Sequence, residues 1–371
     1  MTLSLLLLVV LTLAAANGAN DNIKGAATLI GSGLTDYRRA IAWATLATAV
    51  GGAVSLFAAN GLLQAFGGRG IVPDVIAGSP GFLGTVGLGA GATVWLATRL
   101  GLPVSTTHAL LGSLLGAGLA AAPQEVGFAV ALRSMLGPLL VAPAIAIVFA
   151  LALVPLLRTL RARNAIEPAC LCAEPAVPAI DGTSAARARL HLGRRSDRAC
   201  QAPAVEIAGF DLSRFSPSRL LDRAHYLSAL SVSFARGLND TPKIAALLVV
   251  TGGLGAAPAT VAVIVAMALG AGLAAHRVAD TLAYRITRMD PAEGLGGNLV
   301  TAGLVLVASR YGLPVSTTHV STGALFGIAA GNHSGRRAVI LNILGAWLLT
   351  LPLAAALAAA VYAALSRAPL S

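Results

Sequence analysis

The sequence predicts an all-α polytopic membrane protein made of two inverted repeats of five segments each, with broken helices, helical hairpins and about ten membrane segments. Three observations support this fold class: the composition, the order of apolar and polar stretches, and a pair of motifs that occurs twice. Of the 371 residues, 56% are hydrophobic and only 11% are charged. Soluble domains carry roughly 25% charged residues. Because so few charges cannot cover a water-facing surface, we expect a lipid bilayer around most of the chain.

The apolar stretches fall into two groups of five, and most of them reach the length of about 20 residues that a helix needs to cross a bilayer core. The first group covers residues 3–33, interrupted by polar residues at 17–24, and residues 41–64, 81–99, 103–122 and 127–157. The second group covers residues 225–251, 257–275, 295–309, 313–330 and 338–364. We therefore predict a first membrane repeat at 1–157, a linker at 158–224 and a second membrane repeat at 225–371.

The linker sets the predicted orientation. It is rich in Arg, Pro, Ala and Ser, which predicts a flexible segment, and the positive-inside rule assigns it to the cytoplasm. If each repeat crosses the membrane five times, both termini lie outside. The membrane is predicted to be a cell membrane of the bacterial plasma-membrane type. Cys170, Cys172 and Cys200 all lie in this linker and are interpreted as reduced cysteines.

The positive charges near the segment ends predict opposite orientations for the two repeats. Arg38 and Arg39 follow the first segment, whereas the matching gap of the second repeat, residues 251–258, is uncharged. After the next segment the bias reverses, with Arg277 and Arg285 in the second repeat. This is the pattern of inverted repeats. The net charge of +11 does not indicate nucleic-acid binding, because the basic residues lie in short gaps between apolar runs.

The first repeated motif places an Asn-Asp pair and a lysine inside apolar segments. Its copies read Gly-Ala-Asn-Asp-Asn-Ile-Lys at 18–24 and Gly-Leu-Asn-Asp-Thr-Pro-Lys at 237–243. A carboxylate at membrane depth is costly, so we expect it to pair with a cation or to face an aqueous cavity. The chain has two lysines, and both follow the aspartate by three residues, on the same helix face. Each lysine could pair with its own aspartate or with that of the other repeat. The candidate residues are Asn20, Asp21, Lys24, Asn239, Asp240 and Lys243.

The second motif, Gly-Leu-Pro-Val-Ser-Thr-Thr-His, occurs identically at 101–108 and 312–319. Proline disfavours helix just before it, and the hydroxyl residues are N-capping types. The octapeptide therefore predicts a chain break followed by a new helix, whose free N–H groups and dipole form an anion site. Two such starts near the midplane would cradle a tetrahedral oxyanion. The binding candidates are Ser105, Thr106, Thr107, Ser316, Thr317 and Thr318, with His108 and His319 as weaker ones.

With both motifs in both halves, the sequence resembles the inorganic phosphate transporter (PiT) family over about residues 15–150 and 225–360. The resemblance implies an inverted-repeat phosphate transporter, often dimeric, usually driven by sodium or protons, in which the Asn-Asp pairs and the Ser-Thr-Thr segments form the phosphate and cation sites. It implies no enzyme activity, and we see no P-loop and no nucleophile–base pair. A sodium ion, where one is coupled, would lie near Asn20, Asp21, Asn239 and Asp240.

Two departures from the family pattern shape the interpretation. The family usually has an asparagine where this chain has Lys24 and Lys243, and many members have a glutamate where our alignment places Thr48 and Asn298. We hypothesise that the two ammonium groups stand where relatives hold a bound cation, so that transport is proton-linked, an exchange or uncoupled. Sulfate or another oxyanion is the alternative substrate, and a membrane protein that signals or assembles without transport is the alternative class.

Overall fold

The computed structural model describes residues 2–68, 70–165, 170–174, 189–193 and 217–367. The first half contains α1 (Leu3–Asp21), α2 (Ala27–Gly31), α3 (Tyr37–Ala58), α4 (Asn60–Ala65), α5 (Asp74–Ala77), α6 (Pro80–Arg99), α7 (Thr106–Ala121), α8 (Phe128–Val130), a π-helical stretch (Ala131–Leu136) and α9 (Gly137–Ala165). The second half contains α10 (Pro217–Val249), α11 (Ala256–Ala274), α12 (His276–Asp280), a π-helical stretch (Thr281–Arg285), α13 (Pro291–Arg310), α14 (Thr317–Gly331) and α15 (Arg337–Arg367). The transmembrane part that the structure describes is therefore helical, as the sequence predicts.

Helices extend into the predicted linker from both ends. α9 continues to Ala165, where Arg158 is ion-paired with Glu293 of α13, and α10 already begins at Pro217. Between these helices lie β1 (Cys170–Glu174) and β2 (Arg189–Gly193), which pair antiparallel and which the sequence analysis did not predict. The predicted flexibility also concerns residues that lie outside the described ones, namely 166–169, 175–188 and 194–216, which include Cys200.

Seven helical spans of the described residues are long and apolar enough to cross a membrane. They are Leu3–Asp21, Tyr37–Ala58, Pro80–Arg99, Phe128–Leu160, Ala256–Ala274, Pro291–Arg310 and Arg337–Arg367. α7 and α14 are shorter, with 16 and 15 residues. α10 has 33 residues but carries charged side chains along its length. The count of ten segments stays a prediction.

The helices pack in corresponding pairs. α1 contacts α6 and α11, and α10 contacts α13 and α3; α15 packs on α6 and α7, and α9 packs on α13 and α14. The first glycine of each Asn-Asp motif lies at such a crossing. A Cβ on Gly18 would lie 1.9 Å from the carbonyl oxygen of Met267, and one on Gly237 would lie 2.0 Å from that of Thr48. Glycine allows these backbones to approach closely, as small residues do in membrane helix packing.

The two Asn-Asp motifs differ in backbone. α1 ends at Asp21, and a turn leads from there to α2, in agreement with the interruption that the sequence predicts. α10 continues through its motif with Pro242 inside the helix. The break thus occurs in the first copy, and the second copy is helical throughout.

Candidate functional site

The two octapeptides both form a turn followed by a helix start, which confirms that prediction. Gly101 and Gly312 have φ angles of +69° and +66°, which glycine adopts without strain. Ser105 then caps α7 by accepting the N–H of His108 at 3.1 Å, and Ser316 caps α14 by accepting that of His319 at 3.1 Å. α6 with α7, and α13 with α14, are the first and the second hairpin.

The two helix starts face each other. The Thr318 hydroxyl donates to the carbonyl oxygen of Val104 at 2.7 Å, and the Thr107 hydroxyl donates to that of Val315 at 3.4 Å. Each threonine therefore bonds the backbone of the opposite octapeptide, and both are buried. The two octapeptides form one contact region at the centre of the bundle.

The histidines of the octapeptides pack against each other instead of contacting the carboxylates. The rings of His108 and His319 are stacked with centroids 4.4 Å apart, and His319 also lies 3.9 Å from the ring of Trp347. Their geometry indicates a packing role between the two hairpins.

Each lysine pairs with the aspartate of its own motif, which decides between the two pairings that the sequence left open. Lys24 is ion-paired with Asp21, and the Lys243 Nζ lies 3.5 Å from an Asp240 carboxylate oxygen. The same ammonium groups also reach the other half. Lys24 is hydrogen-bonded to the Thr318 hydroxyl. Lys243 donates to the hydroxyl of Thr107 in the first half at 2.9 Å. It also donates to the carbonyl oxygen of Val315 in its own half. Each lysine thus links its own motif to the opposite octapeptide.

One side-chain amide joins the two aspartates, and each aspartate also accepts a hydrogen bond from a threonine of its own half. Asp21 accepts a hydrogen bond from the Thr106 hydroxyl at 3.2 Å, and Asp240 accepts one from the Thr317 hydroxyl at 3.4 Å. The Asn17 side-chain amide donates to Asp21 at 3.0 Å and lies 3.4 Å from Asp240. The carboxylates of both motifs therefore belong to one cluster.

The motif asparagines brace the octapeptides. Asn20 donates to the carbonyl oxygen of Leu102 at 3.0 Å and accepts the N–H of Val104 at 3.1 Å. Asn239 donates to the carbonyl oxygen of Val315 at 3.2 Å and to Asp240 at 2.9 Å. They hold each Asn-Asp element against the octapeptide of its own half.

Arg236 is the main site residue that the sequence analysis missed. Its guanidinium is 1% exposed, donates to the Asn22 side-chain oxygen at 2.7 Å, and is hydrogen-bonded to Asn17. Its Nε lies 3.7 Å from Asp240. Arg236 immediately precedes the second motif, and Asn17, 219 residues earlier, immediately precedes the first. An arginine at that place in an apolar segment was the signal that could have revealed it.

The two positions at which many family members have a glutamate carry neutral residues here, and both form local hydrogen bonds. The Thr48 hydroxyl donates to the Asn22 side-chain oxygen at 2.9 Å, next to Arg236. Asn298 lies in a separate buried polar group. It donates to the Thr28 hydroxyl at 2.9 Å, and that hydroxyl lies 3.0 Å from the His225 ring.

The central cluster carries an excess of positive charge. In their ionised forms, Lys24, Lys243 and Arg236 face Asp21 and Asp240, and all five residues are at most 3% exposed. The N-termini of α7 and α14 add the positive ends of two helix dipoles. An unpaired charge inside the membrane is costly. An arrangement with one unmatched positive charge is therefore suited to receive a small anion.

A buried ionic cluster between paired helix starts, inside an apolar helical bundle, is typical of membrane transport proteins. The comparisons identify the family. The family model described as "Phosphate transporter family" matches residues 17–358, so the chain belongs to that family. Its relatives are transporters, not enzymes.

Two relatives and one solved structure illustrate the similarity. The chain is 28% identical to the inorganic phosphate transporter 2-1, chloroplastic, of Arabidopsis thaliana, over 92% of this chain and 68% of that one. It is 27% identical to a probable low-affinity inorganic phosphate transporter of Rhizobium meliloti, over 93% and 91% of the two chains. A solved structure described as the sodium-dependent phosphate transporter superposes with a TM-score of 0.74 at 21% identity, covering 98% of both chains. At this identity, that likeness concerns the fold alone.

Proposed function

We propose that this chain is a secondary transporter that moves inorganic phosphate across a cell membrane through a midplane site formed by its two halves. The observation that carries the proposal is the central cluster, in which both motif pairs meet and one positive charge is unmatched. The candidate phosphate ligands are the hydroxyls and backbone N–H groups at the starts of α7 and α14. These comprise Ser105, Thr106, Thr107, Ser316, Thr317 and Thr318, with Asp21 and Asp240 beside them.

The proposed topology has two inverted repeats, with both termini outside and the linker in the cytoplasm. The corresponding helix pairs support it, since α1 meets α6 and α11 while α10 meets α13 and α3. The charges at the segment ends support it as well. In this arrangement, the first hairpin enters from outside and the second from the cytoplasm.

We further propose that the lysines replace the coupling cation of related proteins. Each ammonium group contacts the aspartate of its own motif and a threonine of the opposite octapeptide. Their side-chain oxygens are ligands of the type that a sodium ion would use. The side-chain oxygens of Asn20 and Asn239 already accept hydrogen bonds from Val104 and Ser309. Transport would then be proton-linked, an exchange or uncoupled, in place of sodium symport.

The test is uptake of radiolabelled phosphate into proteoliposomes with and without a sodium gradient. We expect uptake in the absence of sodium and its loss in Asp240→Asn. Uptake that requires sodium would contradict the role of the lysines but not phosphate transport. A complete lack of uptake under sodium, proton and exchange conditions would contradict the proposed function itself.

Sulfate is the second candidate substrate, because one observation weakens the expected preference for phosphate. Phosphate at neutral pH can donate a hydrogen bond to a carboxylate and sulfate cannot, but Asp21 and Asp240 are already paired with lysines. The carboxylates therefore discriminate less between the two anions than they would if they were free. Competition of unlabelled sulfate against phosphate uptake distinguishes the two substrates.

A further inference from the structure

A basic pocket lies at the tip of the first hairpin, away from the central cluster. It has a volume of about 400 Å³ and is formed by the end of α6, the following turn, α12 and the π-helical stretch after it. Its charged lining consists of Arg99, His276, Arg277, Asp280 and Arg285. Three arginines thus face one aspartate. In the proposed topology, this pocket opens on the cytoplasmic face.

Part of this positive charge is uncommitted. Arg285 is ion-paired with Asp280 at 2.5 Å, and Arg277 donates to the backbone carbonyl oxygen of Arg99 at 2.7 Å. Within the described part of the chain, the side chains of Arg99 and His276 form no hydrogen bond or ion pair. Arginine is the side chain best suited to bind a phosphate group, because its planar fork donates two parallel hydrogen bonds.

The pocket also contacts the segment that closes the central site. Thr281 donates to the carbonyl oxygen of Gly101 at 2.8 Å on the pocket side. On the other side of the same turn, Asn20 binds the backbone of Leu102 and Val104. Residues 101–104 therefore separate the pocket from the central cluster. Thr281 fastens this segment to the second half, and Arg277 fastens the end of α6 just before it.

Within the residues that the structure describes, the corresponding place at the second hairpin is lined differently. Its tip carries Arg310 and Gly312, and Gly312 packs against Gly61 of α4, where an added Cβ on Gly61 would lie 3.1 Å from the Gly312 Cα. α4 contains no charged residue. In the part of the chain that the structure describes, the tip of the first hairpin thus meets a helix with basic side chains, and the tip of the second meets the uncharged helix α4.

We propose that the pocket binds a phosphate group and that binding draws the Arg277 guanidinium away from the Arg99 carbonyl oxygen, which loosens the tip of the first hairpin. The ligand is a phosphate oxyanion, either free inorganic phosphate or the headgroup of an anionic phospholipid. The proposal rests on the proposed function, in which the segment 101–104 separates the central site from the cytoplasm. It adds a second phosphate site and a release step to that function.

Trp347 provides a sensor for this segment. Its Nε1 donates to the carbonyl oxygen of Pro103 at 3.1 Å. The chain has two other tryptophans, Trp43 and Trp95. In the variant Trp43→Phe/Trp95→Phe, the fluorescence comes from Trp347 alone. The full chain is placed in nanodiscs of phosphatidylcholine and titrated with inorganic phosphate, or placed in nanodiscs containing phosphatidylglycerol without phosphate.

Arg99→Gln is the informative substitution, because it removes a pocket side chain but leaves the backbone acceptor of Arg277 in place. We expect it to raise the half-saturating phosphate concentration about tenfold, the loss typical of one charge-assisted contact. Arg310→Gln, the matched change at the other hairpin tip, and Arg288→Gln, a nearby exposed arginine outside the pocket lining, should change it less than about twofold.

The outcomes separate the ligand sources and the two proposals. If Trp347 responds to free phosphate and Arg99→Gln weakens that response, the pocket is a site for free phosphate. If Trp347 responds to phosphatidylglycerol and Arg99→Gln weakens that response, the pocket is a headgroup site. A Trp347 response unchanged by Arg99→Gln, or the lack of any response in both membranes, overturns the pocket proposal. Transport without this response would refute only the pocket, whereas the response without transport would refute only the proposed function.

Discussion

Replacing Arg236 tests the charge argument for the central site directly. This guanidinium provides the unmatched positive charge of the cluster and contacts Asn17, Asn22 and Asp240. Arg236→Met keeps an unbranched side chain and removes the charge. We expect two separate effects, one on stability and one on phosphate affinity, and the structure allows a rough magnitude for each.

The stability effect follows from the acceptors that lose their donor. Asn17 loses its contacts with the guanidinium at both its side chain and its backbone oxygen, and Asn22 loses one at 2.7 Å. Hydrogen bonds to a charged group contribute roughly 1.5–3 kcal/mol each. Removing the buried guanidinium also relieves its desolvation, which offsets part of this loss. Since Asp240 keeps Lys243 at 3.5 Å, we expect a net destabilisation of about 3 kcal/mol.

The affinity effect follows from Coulomb's law. A unit charge about 8 Å from a bound anion, at an effective dielectric constant of about 20, contributes about 2 kcal/mol, which corresponds to about thirtyfold in affinity. The assay is the KM for phosphate uptake in proteoliposomes, with thermal unfolding of the purified protein measured in parallel.

Arg236→Lys is the control, because it keeps the charge and loses the planar fork. We expect it to lower stability but to change KM only a few-fold. A folded Arg236→Met protein whose KM equals that of the parent would refute the role of Arg236 in anion binding.

Two further predictions concern packing and capping. Gly270→Ala should lower the free energy of unfolding by at least about 2 kcal/mol, because the new Cβ would lie 1.9 Å from the Ala15 carbonyl oxygen. Gly272→Ala in the same helix has nothing within 4 Å and should be neutral or stabilise by about 0.5 kcal/mol, so equal effects in thermal unfolding would contradict the packing argument. Ser316→Ala removes the N-cap of α14 and should cost about 1 kcal/mol. It should also raise the uptake KM, and a lower KM would contradict the proposed anion site.

Local sequence chemistry predicted the parts of the site that depend on neighbouring residues. The Pro-Val-Ser-Thr-Thr run fixes where α7 and α14 begin, because proline and an N-cap serine act within one turn. The spacing of three residues likewise brought Lys24 and Lys243 close to an aspartate, but it left open which aspartate each would pair with, and the structure pairs each with its own. These features need no knowledge of the rest of the fold.

Contacts between the halves could not be predicted in this way. Apart from Asp240, the partners of Arg236 lie about two hundred residues away, on α1, just after it and on α3, and nothing local to Arg236 indicates them. The continuity of α10 through Pro242 is also a tertiary effect, because neighbouring groups in a membrane bundle can satisfy the backbone that proline leaves unpaired. In the polar linker, the alternation Arg-Leu-His-Leu of β2 is a short strand signal that was missed, whereas β1 has no such alternation.

One charge difference between the two motif surroundings, Asn17 against Arg236, would let the duplicated site of the proposed transporter bind one anion. Two arginines would leave the ionised cluster with two unmatched positive charges, and two asparagines would leave it neutral. One arginine leaves one positive charge, which a singly charged oxyanion neutralises without an added cation. Arg236→Asn makes the second copy match the first and removes that charge. We therefore expect phosphate uptake by Arg236→Asn to depend on a sodium or proton gradient even if the parent needs neither, because a cation must then enter with the anion. Uptake by this variant that stays independent of both gradients would show that charge balance in the cluster does not decide the coupling.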